Sequence, residues 1–329
     1  MKFTIKDIAN LCGVSAGTVD RALNNRKGIS EKTRKKILKV ANEMNYQPDY
    51  MARSLVMGKT MTLGIVLFDL YNRSFAQLMN AIELKAREKG YFVYITLTDK
   101  NPENEIKCID YLVNRKVDGI ILFTVNKGQE FDDYLSKFSV PIVTIFNYIS
   151  DNWEYVGIQE REAMKEAVDY IASQDYKQLI YISPPLAYLG KRNIYTQEER
   201  LQGFLEGVEN TNLSNAPVII KNNEYIKELE SISFSKVQKT AIVCSTDLYA
   251  LEVMNFLKDK GLDIPSEVGV MGFDDIDMLK YITPRLTTVK YPIVEIGERA
   301  VESLIHKIVE GEYLSTPLLD YEIIKGDSI

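Results

Sequence analysis

Few side chains in this sequence are of a type, and at a spacing, that does chemistry unaided. The one histidine, His306, lies in an amphipathic C-terminal stretch and reads as a surface or structurally bonded imidazole. Cys12, Cys108 and Cys244 are far apart, and with a single histidine they make no ordinary structural zinc site. There is no Gly-x-Gly-x-x-Gly, no Walker loop and no Gly-x-Ser-x-Gly; no catalytic residue, metal or cofactor is expected. The residues that stand out are suited to binding. Arg21 offers a guanidinium that can give two hydrogen bonds to guanine O6 and N7, worth roughly 1–3 kcal/mol of discrimination; the alternative is that it covers a helix surface. The others follow apolar, strand-like runs: Asp69, Tyr71, Asn72 and Phe75 after the first, Thr124 and Asn126 after another, and Asn147 after 141–146.

Elements must hold these residues in place. Thr4 can cap a first helix with Asp7 three residues on, Ile5, Ile8, Ala9, Leu11 and Cys12 forming its apolar face. Gly13-Val14-Ser15 breaks the pattern, and Ser15 caps a second helix over 16–24 with Val19, Ala22 and Leu23 on one face. Ser30 caps a third, over 31–45, with Ile37, Leu38, Ala41 and Met44 inward and Lys32, Arg34, Lys35, Lys36 and Lys39 outward. This is a helix-turn-helix unit, whose second helix suits a major groove. Tyr46-Gln47-Pro48 ends it, and 50–57 is a helical turn or two, too short to be stable alone.

From residue 61 strand-like and helix-like stretches alternate: strands over 62–68, 91–97, 118–123 and 141–146, then 179–183, 218–221, 240–244 and 268–271, with helices around 75–86, 103–114, just before 141, over 200–208 and over 248–260. Unbroken Val/Ile/Leu runs of this kind belong to buried parallel sheets, which bind ligands beyond the carboxyl ends of their strands. Charge divides along the same line. Residues 1–59 carry +7 and the remainder −13, so a basic module that meets polyanion is joined to an acidic body that does not. With 329 residues and 46% hydrophobic composition the chain is globular and of about two domains plus a small module. No run is apolar for the ~18–20 residues of a bilayer span, and the first residues lack an export signal's apolar core, so a cytoplasmic protein is expected.

The blocks Thr4-Ile-Lys-Asp-Ile-Ala, Gly13-Val-Ser, Thr18-Val, Leu23-Asn24-Asn25, Asn45-Tyr46-Gln-Pro48 and Ala52-Arg53-Ser54-Leu55 resemble the lactose/galactose repressor (LacI/GalR) family of bacterial transcription regulators. The likeness resumes at Val117-Asp118-Gly119-Ile120-Ile121, Gly272-Phe273-Asp274-Asp275 and Pro284-Arg-Leu286-Thr287-Thr288-Val289, and so spans the chain. It implies an α/β protein with an N-terminal three-helix helix-turn-helix head (1–48), a short hinge helix and linker (49–60), and a periplasmic-binding-protein-like body (61–329). The body would be two doubly wound parallel-sheet subdomains, about 61–160 plus 290–320, and about 161–289 plus the C-terminus.

The resemblance also implies the function and its residues. Ala16, Gly17 and Arg21 would read bases, Ser15 and Thr18 would lie near phosphate or groove edge, Leu55 would wedge into the minor groove, and Thr4, Asn24, Tyr46 and Arg53 would complete the DNA contacts. Ligand-binding residues would be Tyr71, Phe75, Asn147, Gln159, Arg200, Thr246, Asp274 and Tyr291. The partners are a double-stranded, palindromic operator, a small polar effector such as a carbohydrate, and a second copy of the chain, with the helix near 75–89 in the dimer interface; no membrane is involved. No heptad tail follows 320–329, so a coiled-coil tetramerisation module is not expected. The chain departs from the family pattern at Asp20, where a serine is common, and at Gln159, Thr246 and Tyr291, where Asp, Asn and Gln are. Trp153 and Tyr155 are either gate aromatics or packing, Lys191 or Arg192 either meets an anion or is solvated, and Asp247 either binds ligand or caps its helix. An α/β enzyme and a free sugar-binding protein are the competing classes; neither explains the basic head.

Overall fold

The computed structural model describes residues 3–46, 54, 58–184, 192–211, 215–235, 237–315 and 317–329; Arg53, Leu55 and Lys191 lie outside them. The chain divides into two compact units at Thr60 and Met61.

In the first unit, local chemistry sets the helix starts. Helix α1 (Ile5–Cys12) begins with a capping box in which Thr4 Oγ1 accepts from Asp7 N and the Asp7 carboxylate accepts from Thr4 N at 2.8 Å. It stops at Gly13, whose φ of 66° is the left-handed turn that glycine adopts freely. Ser15 and Ser30 accept from Thr18 N and Thr33 N and so open α2 (Ala16–Leu23) and α3 (Glu31–Glu43). Ile8, Ala9, Cys12, Val19, Ala22, Ile37 and Ala41 form the core.

Four residues differ from expectation. Leu11 and Leu38 are 62% and 43% exposed rather than inward, because three short helices enclose a narrow stripe and apolar positions one step off it stay in solvent. Arg34 and Lys36 do not simply point outward. Arg34 folds over the α2–α3 loop, donating to Asn25 Oδ1 (2.7 Å) and the Arg26 carbonyl (2.8 Å), and Lys36 donates to the Cys12 carbonyl (3.0 Å) at the negative end of α1.

The second unit holds two sheets. The first has the order β2-β1-β3-β4-β5 and is parallel throughout. Its strands are β1 (Thr62–Leu67), β2 (Phe92–Leu97), β3 (Gly119–Leu122), β4 (Ile142–Ile145) and β5 (Glu154–Val156), and its helices α4 (Arg73–Glu88), α5 (Pro102–Asn114) and α6 (Gln129–Leu135). The second has the order β11-β10-β9-β8-β6-β7, with β6 (Gln178–Ser183), β7 (Val218–Lys221), β8 (Thr240–Cys244), β9 (Val268–Phe273), β10 (Thr287–Lys290) and β11 (Glu322–Ile324). It is parallel except for β11, which runs antiparallel to β10.

Helices α7 (Glu160–Ala172), α8 (Tyr195–Glu209), α9 (Tyr225–Glu230) and α10 (Asp247–Asp259) accompany the second sheet, whereas α11 (Ile293–Glu310) returns to pack on α4, β3 and β4. The strand and helix alternation read from the sequence passes over β5, α7, α9, β10 and β11, and starts α8 five residues late. Helix α7 buries Ala163, Met164, Ala167, Val168 and Ile171, a helical spacing that lies between two shorter, louder apolar runs.

Candidate functional site

The head presents α2 to solvent. Ser15, Ala16, Gly17 and Arg21 are exposed, and Arg21 makes no side-chain hydrogen bond or ion pair among the described residues. Thr18 is half-buried, its hydroxyl 2.9 Å from that of Ser15. Thr4 is exposed but its hydroxyl is engaged by Asp7, and Tyr46 packs against the head core. Asn24, expected at DNA, turns its amide back onto its own helix, donating to the Asp20 carbonyl (3.0 Å) and carboxylate (2.8 Å).

The body carries a cleft of about 570 Å³ at the carboxyl ends of the strands. Of the expected ligand residues, Tyr71, Phe75, Asn147 and Thr246 line it, joined by Asp69, Asn72 and Arg192. One wall is aromatic: Phe68 stacks on Phe123 at 4.0 Å between centroids, and Phe75 meets both edge-on. The first turns of α4, α8 and α10 converge on the cleft through Asn72 and Phe75, Thr196 and Gln197, and Thr246 and Leu248. The positive ends of their helix dipoles favour oxygen-bearing or anionic ligands.

Polar contacts join the two sheets' halves around the cleft. Asn147 donates to the carbonyls of Thr124 (2.8 Å) and Asn193 (3.0 Å) and accepts from Thr196 N (3.3 Å). Arg73 grips Asp277 with two 2.8 Å hydrogen bonds, and Lys127 lies 3.3 Å from Glu198.

Arg200, Asp274 and Tyr291 are not among the cleft-lining residues; they bind one another in a buried cluster. Arg200 donates to Glu160 Oε2 (2.7 Å) and to the Ser245 carbonyl (2.6 Å), lies 3.5 Å from Asp274 Oδ1, and stacks over Phe273 at 3.6 Å. Tyr291 donates to Asp274 Oδ1 at 3.0 Å. Burial raises the carboxyls of Glu160 and Asp274, the latter to about 6, even against the pull of Arg200. Asp275 has φ 50°, in the left-handed region that aspartate tolerates, whereas Asp274 has φ 127°, a conformation that a non-glycine residue holds only when its surroundings enforce it.

Gln159 lies outside both groups, exposed at the start of α7. Asp247 does not cap α10: its carboxylate accepts from Ile276 N (2.9 Å) and the Thr288 hydroxyl (2.6 Å), bracing the loop that carries Asp274. Trp153 and Tyr155 pack, donating to Asp132 and to the Phe146 carbonyl. His306 Nδ1 contacts the Glu312 carbonyl at 2.8 Å.

Residues 4–49 match the family described as bacterial regulatory proteins, lacI family, and residues 168–329 match a periplasmic binding protein-like domain. "Probable HTH-type transcriptional repressor ExuR" of Bacillus subtilis is 31% identical over 99% of this chain and 98% of its own. The chain belongs to the lacI family. Catabolite control protein A of Priestia megaterium is 28% identical over 99% of this chain and 96% of its own length. The fold is that of the Lac repressor dimer bound to operator and the anti-inducer ONPF, with a TM-score of 0.87 at 21% identity over 100% of this chain and 99% of that one. As a lacI-family member the chain is a transcriptional regulator, and its doubly wound body belongs to a regulator, not to an enzyme.

Sequence reasoning missed Phe68, Phe123, Asn193 and Thr196 among this regulator's cleft-lining residues, and it missed a buried brace behind the cleft. Glu105 on α5 is fully buried beneath the loop after β3, its carboxylate accepting from Val125 N (3.1 Å), Asn126 N (2.8 Å) and the Asn126 amide (2.6 Å). That loop in turn takes Asn193 N on the Val125 carbonyl (2.8 Å). Burial pushes the Glu105 carboxyl up to about 7 despite these hydrogen bonds. Raised in the native state, the group holds its proton there while the unfolded chain has lost it, so stability falls as pH rises from ~4.5 to ~7. Glu105→Gln is expected to remove that slope, worth at most roughly 3 kcal/mol, and to cost about 1–3 kcal/mol by leaving an N–H opposite an amide. Melting curves of both proteins from pH 4.5 to 8 measure this; identical slopes would refute it.

Proposed function

We propose that this regulator is a cytoplasmic repressor that binds a palindromic operator as a homodimer, and that a small polar metabolite in the body cleft, a carbohydrate or close relative, sets its DNA affinity. The cleft carries the reading. An aromatic wall whose ring faces suit C–H groups stands opposite hydroxyls, amides and three helix N-termini that suit oxygens, as in pockets that fix a ligand with a few placed polar groups. Tyr71, Phe75, Asn147 and Thr246 are the direct contacts; Arg200, Asp274 and Tyr291 hold the strand ends from behind.

The dimer reading rests on the outer strand of the first sheet. Phe92, Tyr94, Ile95 and Leu97 on β2 are exposed, with Leu84 on α4 and Tyr111 on α5, two helices that pack on that strand. An apolar patch on an open strand edge calls for a partner, and a second copy fits the expected role of α4. A monomer by sedimentation at micromolar concentration would contradict it.

The test is a thermal-shift screen of the full chain against sugars, sugar acids, sugar phosphates, polyols and nucleobases, each hit repeated in DNA-binding titrations. A ligand at ~100 times its Kd that binds only the native state adds about 2.7 kcal/mol. A hit that shifts DNA affinity supports the reading, and Phe75→Ala and Thr246→Ala should weaken it. Hits that bind unaffected by both substitutions, or leave DNA affinity unchanged, would overturn it.

A further inference from the structure

The acidic residue on the DNA-facing helix has no obvious place beside phosphates. Asp20 stands one turn beyond Ala16 and Gly17, which offer only a methyl group and a bare Cα, and next to Arg21. Its carboxylate is held from two sides: the Asn24 amide donates to Oδ1 at 2.8 Å, and Arg26 Nη1 lies 3.2 Å from Oδ2. The side chain remains 38% exposed. A carboxylate has about four acceptor sites, so two stay open toward solvent. Arg26 offsets the negative charge that phosphates would otherwise repel, and the two partners fix one rotamer.

We propose that Asp20 reads a base, accepting a hydrogen bond from the N4 amino group of a cytosine, with Asn24 and Arg26 as positioning residues. The inference rests on α2 being the groove-facing helix. Cytosine is chosen by chemistry. In the major groove only cytosine N4 and adenine N6 are donors, and adenine places the acceptor N7 beside its amino group, where the second carboxylate oxygen would meet it unfavourably. Cytosine places C5–H there. Arg21 on the adjacent column suits guanine, so each half-site pairs a guanine read by Arg21 with a nearby cytosine read by Asp20.

Selection of binding sites from a randomised duplex library tests this, using the full-length protein and its Asp20→Ser, Asp20→Asn, Arg26→Ala and Arg21→Ala variants, with base preferences then measured by anisotropy at fixed salt. Wild-type sites are expected to share one cytosine per half-site, preferred about tenfold or more. Asp20→Ser should drop that preference below about twofold while the guanine preference persists, which also shows that the head is folded. Asp20→Asn should move the preference to adenine, whose N6 and N7 suit an amide. Arg26→Ala should weaken the cytosine preference without erasing it, an effect that a merely structural role would not produce. If Asp20→Ser and Asp20→Asn select the same bases as wild type while Arg21→Ala loses guanine, the Asp20 assignment is wrong. If Arg21→Ala also changes nothing, the assignment falls together with the groove-facing role of α2.

Discussion

Replacing Arg200 by methionine is expected to destabilise the body by about 3–5 kcal/mol, because it leaves two buried carboxylates without their cation. Glu160 and Asp274 are both almost completely shielded from solvent, and the Ser245 carbonyl loses its 2.6 Å donor as well. Glu160 Oε1 already has no hydrogen-bond partner among the described groups, and a neutral hydroxyl of Tyr181 or Ser245, both also unpartnered there, would not replace the lost positive charge. The loss should depend on pH with a definite sign. Both carboxyls are raised by burial even with Arg200 present, and without it they rise further. Protonation then relieves the uncompensated charge in the variant while the wild-type Asp274 is still ionised, so the variant's deficit should be largest well above neutrality and shrink as pH falls toward about 6. Adding Glu160→Gln and Asp274→Asn should recover much of the loss. Denaturant melts of the three proteins at pH 5 and pH 8 decide the matter: a deficit under 1 kcal/mol, or one equal at both pH values, would show the cluster to be more hydrated or more adaptable than its geometry indicates.

How much of this was legible in advance follows from how local each signal is. The helix starts at Thr4, Ser15 and Ser30 were readable because cap and capped amide lie within three residues. Arg21 was readable because a helix position and a charge bias suffice to place it. Arg200 and Asp274 stood out as residues, but their partners did not. Glu160 lies 40 positions before Arg200, on a helix the alternation passed over, and the family pattern points instead to Gln159. One residue along a helix turns the side chain by about 100°, enough to put Gln159 in solvent and Glu160 in the core. Glu105 gave no signal because it reads as one more acidic residue in the first turn of a helix; only the parallel pairing of β1 with β3 brings α5 under the loop it braces. Leu11 and Leu38 mislead in the opposite direction, since apolar spacing says which face is inward but not how wide the buried stripe is.

Gly203, three residues beyond Arg200 on α8, has a steric role that yields the second large effect. Gly203 lies where α8 crosses α7, and a Cβ built on it would stand 2.1 Å from the Arg161 carbonyl oxygen. Four residues on, a Cβ at Gly207 would stand 2.7 Å from Val168 Cβ, so two glycines on one face let the helix backbones nearly touch. A side chain can rotate away from an intruding methyl group, but a helix carbonyl cannot. Gly203→Ala therefore has to move one helix, by about 1 Å to reach ordinary contact, in an interior packed too densely to absorb it. The expected cost is about 3 kcal/mol or more, a fall of roughly 6–12 °C in melting temperature for a domain of this size. The displacement would also separate Arg200 on α8 from Glu160 on α7, whose hydrogen bond is 2.7 Å. Gly203→Ala and Arg200→Met should consequently be less than additive when combined, because the first has already damaged what the second removes. Full additivity would mean that the helix crossing and the ion cluster are independent, and that the glycines do not set the geometry at the strand ends behind the cleft.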